Sequence, residues 1–91
     1  MGFDIVMIRP CDGKASFDIR LKKDEKLTLL EMVDKLQKIM DIKVKTPHLI
    51  FGLYEGKKIT LYSSGRLRIK EVEEEKIARE IAQKIYDVLE N

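Results

Sequence analysis

Sixteen residues from Lys57 to Val72, KKITLYSSGRLRIKEV, leave little freedom in how they fold. Ile59 and Leu61 alternate with Thr60 and Tyr62, Leu67 and Ile69 alternate with Arg66, Arg68 and Lys70, and Ser64-Gly65 lies between the two runs. A period of two is the signature of a strand with one face buried and the other open. Glycine accepts the positive φ that a tight reversal needs. The stretch therefore predicts an antiparallel hairpin with one aliphatic face and one face of threonine, tyrosine, arginine and lysine. A hairpin alone is marginal in water, so its aliphatic face has to be covered by other elements.

The rest of the chain offers that cover. Residues 3 to 8, FDIVMI, are almost continuously apolar and predict a strand covered on both sides or central in its sheet. Residues 16 to 21, SFDIRL, alternate, with Phe17, Ile19 and Leu21 inward and Ser16, Asp18 and Arg20 outward, and Asp12-Gly13 is a suitable turn between these strands. Thr28 followed by Glu31 reads as a capping box with Leu27 and Met32 as its hydrophobic staple. The recurrence of Leu29, Met32, Val33, Leu36, Ile39 and Met40 then predicts a helix over about 28 to 40. Lys43 to Lys45 fit a short edge strand ahead of Pro47, and residues 48 to 54, 58 to 64 and 66 to 72 fit three more strands, turning at Glu55-Gly56 and Ser64-Gly65. In the first of these three, Leu49, Phe51 and Leu53 are expected on the core face. A last helix starts near the acidic run Glu73, Glu74, Glu75, which suits a helix N-terminus, and buries Ile77, Ala78, Ile81, Ala82, Ile85, Val88 and Leu89. The expected class is α+β, a curved antiparallel sheet with two helices packed on one face, in a single domain spanning 1 to 91.

Composition narrows what such a domain can do. No apolar run approaches the roughly 20 residues of a membrane span, and MGFDIVMIRP lacks the pattern of a secretory signal, so a cytoplasmic protein with no membrane partner is expected. One cysteine, Cys11, and one histidine, His48, give neither an internal disulfide nor a zinc cluster. Cys11 has no base nearby in sequence and reads as an unreactive thiol; His48 reads as an exposed polar residue. Asp24 and Glu25 precede a helix, where acids are favoured. No catalytic constellation, metal site or cofactor is expected. Abundant Lys, Glu and Ile with only three Asn and Gln residues match a hot-adapted, archaeal-like source.

The net charge of +2 is uninformative, but its distribution is not. Residues 57 to 70 carry five cations and no acid, whereas residues 73 to 90 carry six acids and three bases. The outward set is expected to comprise Thr60, Tyr62, Ser64, Arg66, Arg68 and Lys70, joined from the neighbouring strand by His48, Ile50, Gly52 and Tyr54. Rings interleaved with guanidinium and ammonium groups offer stacking surfaces and phosphate contacts. Tyr54 and Tyr62 are the candidate stacking groups, and Arg66, Arg68 and Lys70 the candidate phosphate partners, for nucleic acid. A protein-interaction module that uses the same face or a sheet edge for an acidic partner is the alternative.

From Thr46 to Asn91 the chain resembles one repeat of the TATA-box-binding protein family. TPHLIFG, then ITLYSSGR, then LRIKEVEEEKIAREIAQKIYDVL follow the order and spacing of that repeat. The resemblance implies a curved sheet with a free concave face and both helices on the convex side, and a nucleic-acid-binding role for the free face. It places Tyr62 at one of the family's two wedge aromatics, Thr46 at the other, and Arg66 at a lysine that follows the turn. Arg68 and Lys70 stand where the family has apolar residues against the minor groove, and Asp4 is the nearest counterpart of a family asparagine. Because the family fuses two repeats and this chain has one, the resemblance also implies a possible homodimer that rebuilds the paired saddle.

Overall fold

The computed structural model describes residues 5–10, 15–22 and 26–90. Phe3, Asp4, Cys11, the Asp12-Gly13 turn, Asp24, Glu25 and Asn91 lie outside the described residues. The chain runs β1 (Ile5–Pro10), β2 (Ser16–Leu21), α1 (Leu29–Leu36), β3 (Asp41–Lys45), β4 (Leu49–Tyr54), β5 (Lys57–Tyr62), β6 (Leu67–Lys70) and α2 (Glu75–Glu90). The strands form one open antiparallel sheet in the order β1-β2-β6-β5-β4-β3. Both helices cover one face. Phe17, Ile19, Ile50, Ile59, Leu61, Leu67 and Ile69 of the sheet are buried in one core with Leu29, Val33 and Leu36 of α1 and Ala78, Ile81, Ala82, Ile85 and Leu89 of α2. The α+β class with two helices on one side of an antiparallel sheet is thus as expected.

The two central hairpins are fixed by their turns. Glu55 and Gly56 both have positive φ, 50° and 82°, the conformation of a two-residue turn whose twist matches that of the strands. In the second hairpin Gly65 N–H donates to the Tyr62 carbonyl and Tyr62 N–H to the Arg66 carbonyl, each at 2.9 Å, with Gly65 at φ 93°. That is a turn closed by a left-handed glycine, as SSG requires.

Several expectations need correction. The largest concerns β4: Ile50 and Tyr54 are buried, with Gly52, on the helix side, while Leu49, Phe51 and Leu53 are half-buried on the open side. The turn explains it. With Tyr54 paired to Lys57, Gly52 falls opposite Ile59 and Ile50 opposite Leu61, and residues paired across a ladder share a face. LIFGLY is apolar on both faces, so its own alternation carried no decision. β1 is an edge strand, not a central one, and exposes Val6 and Met7 beside a bulge between Ile5 and Met7. A bulge blunts an exposed edge, and β3 carries one at the other edge between Ile42 and Val44.

The helices also differ in detail. Thr28 makes no side-chain cap, so the capping box is not formed, and the first turn closes through Glu31 N–H to the Thr28 carbonyl at 3.0 Å. α1 ends at Leu36; the turn that follows still delivers Met40 to the core before β3 begins at Asp41. α2 begins at Glu75, not Glu73, and buries Tyr86 fully. The Tyr86 hydroxyl donates to the Gly65 carbonyl at 2.7 Å, tying α2 to the turn that carries Arg66. Burial, and secondarily the charge of Asp18, push the phenol well above its ordinary value near 10.

Tyr86→Phe should therefore cost about 1–3 kcal/mol, because it strands a buried carbonyl. The raised value also fixes a sign. Folding favours the neutral phenol, so this contribution is complete below pH 10.0 and is lost as pH rises, the unfolded chain ionising first. Urea melts at several pH values check it: the wild type should weaken more steeply above about pH 10 than Tyr86→Phe does.

Candidate functional site

The face turned away from the helices is built by the same alternation that fills the core. On β6 the inward Leu67 and Ile69 leave Arg68 and Lys70 outward, with Arg66 just before the strand, and on β5 the inward Ile59 and Leu61 leave Thr60 and Tyr62 outward. Tyr62, Arg66, Arg68 and Lys70 therefore meet on one surface, as the sequence indicates. Tyr54 does not join them. It is 8% exposed on the helix side, where it lines a groove with Ile77 and Ile81 of α2, so its placement beside the arginines is corrected. Ile50 and Gly52 move with it, and His48 is an exposed residue next to β4.

The pairings resolve this face into rows across the sheet. Val44, Phe51, Thr60, Arg68, Asp18 and Arg9 are successive partners across all six strands. In the next row Leu49 pairs with Tyr62, and Tyr62 bonds Arg66. On the other side Leu53 pairs with Lys58, and Lys70 pairs with Ser16. Every row has an apolar residue on β4 and a cation on or just before β6. At its centre the face thus changes lengthwise from apolar β4 to cationic β6 and β2, while the edge strands are mixed: β3 carries Val44 beside Asp41 and Lys43, and β1 carries Arg9 beside exposed Met7.

Asp18 organises the cationic half. It is 4% exposed although it points away from the core, because arginines surround it. Arg66 Nε donates to its Oδ1 at 2.8 Å, and Arg20 Nε lies 3.5 Å from its Oδ2. Arg9 and Arg68 are its two cross-strand partners, so four arginines and one carboxylate share this patch, a net charge of +3. A carboxylate so placed holds the Arg66 guanidinium through a hydrogen bond and attracts Arg20 at longer range, at little net gain or cost in stability. The Arg66 guanidinium also lies 5.5 Å from the centre of the Tyr62 ring, within cation–π range. Arg68 Nε is buried and has no hydrogen-bond partner among the described residues.

Beside this patch a cleft of about 350 Å³ is lined by Val6, Met7, Arg20, Leu21, Ser64 and Arg66. Among the described residues no group of His, Cys, Asp and Glu side chains is disposed to hold a metal ion. No helix among them is long and apolar enough to cross a membrane.

The sequence reading missed Phe51, Leu49 and Val44 as surface groups and Asp18, Arg20 and Arg9 as parts of the basic patch. A two-residue turn at Glu55-Gly56 was the available signal for the first set. For the second the alternation of SFDIRL put Asp18 and Arg20 on one face, but nothing local joined Asp18 to Arg66, 48 residues away across the β2–β6 pairing. Comparison with protein-family models, curated proteins and solved structures gives no match to this chain.

Proposed function

We propose that this domain is a non-enzymatic module that binds nucleic acid on the open face of its sheet, in the manner of a single TATA-box-binding-like repeat. The observation that carries the reading is the arginine patch around buried Asp18, set beside the half-buried rings of Tyr62 and Phe51. Arginine held in plane by a carboxylate is preorganised for the forked contact that a phosphate accepts. Lys70 extends the patch, and the rings offer faces on which bases stack. The resemblance of Thr46 to Asn91 to the family repeat supports the same face. A cytoplasmic setting fits the composition, and the reading requires no cofactor.

Three or four phosphate contacts should weaken affinity roughly 20- to 150-fold between about 50 and 200 mM salt, through counterion release. Arg68→Ala and Lys70→Ala should each reduce the slope of log K against log salt by about 0.7–0.9. Fluorescence anisotropy with labelled oligonucleotides measures both, and a salt-independent affinity would refute the phosphate role.

The apolar half of the face, with Val44 44% exposed at the β3 edge, favours a second reading. In it the same face binds an acidic protein or a second copy of this chain. Sedimentation over a wide concentration range tests the homodimer: a strictly monomeric chain removes the rebuilt saddle and leaves single-face binding.

A further inference from the structure

Resting on the nucleic-acid reading, we infer that the face takes a single strand rather than a duplex. The strand lies parallel to β5 and β6, with its backbone over the arginines and its bases turned toward Tyr62 and Phe51. The division of the face sets this orientation. The change from apolar β4 to cationic β6 runs along the strands, so an extended ligand seated over β4, β5 and β6 must carry charge on one flank only. Side chains on one face of a strand recur every ~6.8 Å; Arg68 and Lys70 are successive outward positions of β6, and Arg66 precedes them at its entry. An extended single strand can place one phosphate against each. From β6 to β4 is two strand separations, about 9.5 Å, a width that lets bases reach across β5 to Tyr62 and Phe51.

A duplex fits the same face poorly. Its two backbones flank a groove and call for cations on both sides of an apolar stripe. Here the far side carries Val44, Leu49, Phe51 and Leu53, and the nearby Lys43 is paired with Asp41 at 2.8 Å. An acidic amphipathic peptide would share the division into charged and apolar flanks. A guanidinium held by Asp18 and lying within cation–π range of Tyr62 matches phosphates and base planes better than it matches scattered carboxylates.

The test is anisotropy with a labelled single strand of about 12 nucleotides, the corresponding duplex and an acidic amphipathic peptide as competitor, at about 50 mM salt. The single strand should bind at least ~10-fold tighter than the duplex, and Phe51→Leu and Tyr62→Leu should each weaken it by roughly 5- to 150-fold without changing duplex affinity. Circular dichroism confirms that each variant is folded, and Tyr62→Leu alone suffices if Phe51→Leu is not. Arg79→Gln, on the opposite side of the molecule, should change nothing. Equal binding of both forms, unaffected by the ring variants, would overturn the single-strand inference and leave the nucleic-acid reading standing. No saturable binding of either form, or displacement of the oligonucleotide by the peptide at lower concentration, would overturn both.

Discussion

Ile50→Asp is expected to leave this chain unfolded, while Phe51→Asp, one position along the same strand, is expected to fold. Ile50 is fully buried opposite Leu61, beneath the helices. Removing its aliphatic atoms costs about 2–5 kcal/mol, and burying a carboxylate without a partner adds several more. A domain of 91 residues has on the order of 5–14 kcal/mol in all. The two costs together consume it. Phe51 stands on the open side, where a carboxylate keeps its water and costs only the packing of a half-buried ring. Far-ultraviolet circular dichroism decides between the two facings of β4. Folded Ile50→Asp beside unfolded Phe51→Asp would reverse the assignment and remove Phe51 from the surface.

Gly52→Ala should also produce a large loss. A Cβ at Gly52 would lie 2.5 Å from the Asp41 carbonyl oxygen, 2.8 Å from the end of Met40 and 3.1 Å from the Ile42 Cα. Met40 can swing aside; the Asp41 and Ile42 backbone cannot without breaking the β3–β4 ladder. Overpacking of this kind costs about 1–3 kcal/mol, or roughly 5–20 °C in Tm for a domain of this size. Gly56 makes the informative comparison, since its Cβ would meet nothing within 4 Å and only its φ of 82° resists substitution. Thermal melts of Gly52→Ala and Gly56→Ala separate steric contact from backbone conformation. A Gly52→Ala melt equal to wild type would mean that β3 does not pack as described.

These two residues also show where the sequence was legible. Ile59, Leu61, Leu67 and Ile69 alternate with polar neighbours, so their facing was readable one residue at a time. Leu49 to Tyr54 has apolar residues at both parities, and only pairing through the Glu55-Gly56 turn decides which set is buried. Arg66, Arg68 and Lys70 were readable as a basic row for the same reason as their strand. The position of Asp18 among arginines was not, because it depends on which strand closes beside β2. Tyr86 escaped notice because a tyrosine in an amphipathic helix reads equally as rim or core until the Gly65 carbonyl supplies its partner. β1 read as central because it is apolar on both faces, yet it is an edge strand that exposes Val6 and Met7 where a bulge interrupts its pairing with β2.

The central claim is that the open face is the binding face, and amide chemical-shift mapping tests it most directly. Titrating the ¹⁵N-labelled chain with a short single-stranded oligonucleotide at low salt should shift Phe51, Thr60, Tyr62, Arg66, Arg68 and Asp18, neighbours across β4, β5, β6 and β2. The exposed side of α2, including Arg79, Gln83 and Lys84, should stay unmoved. Shifts confined to α2, or none at saturating oligonucleotide, would contradict it.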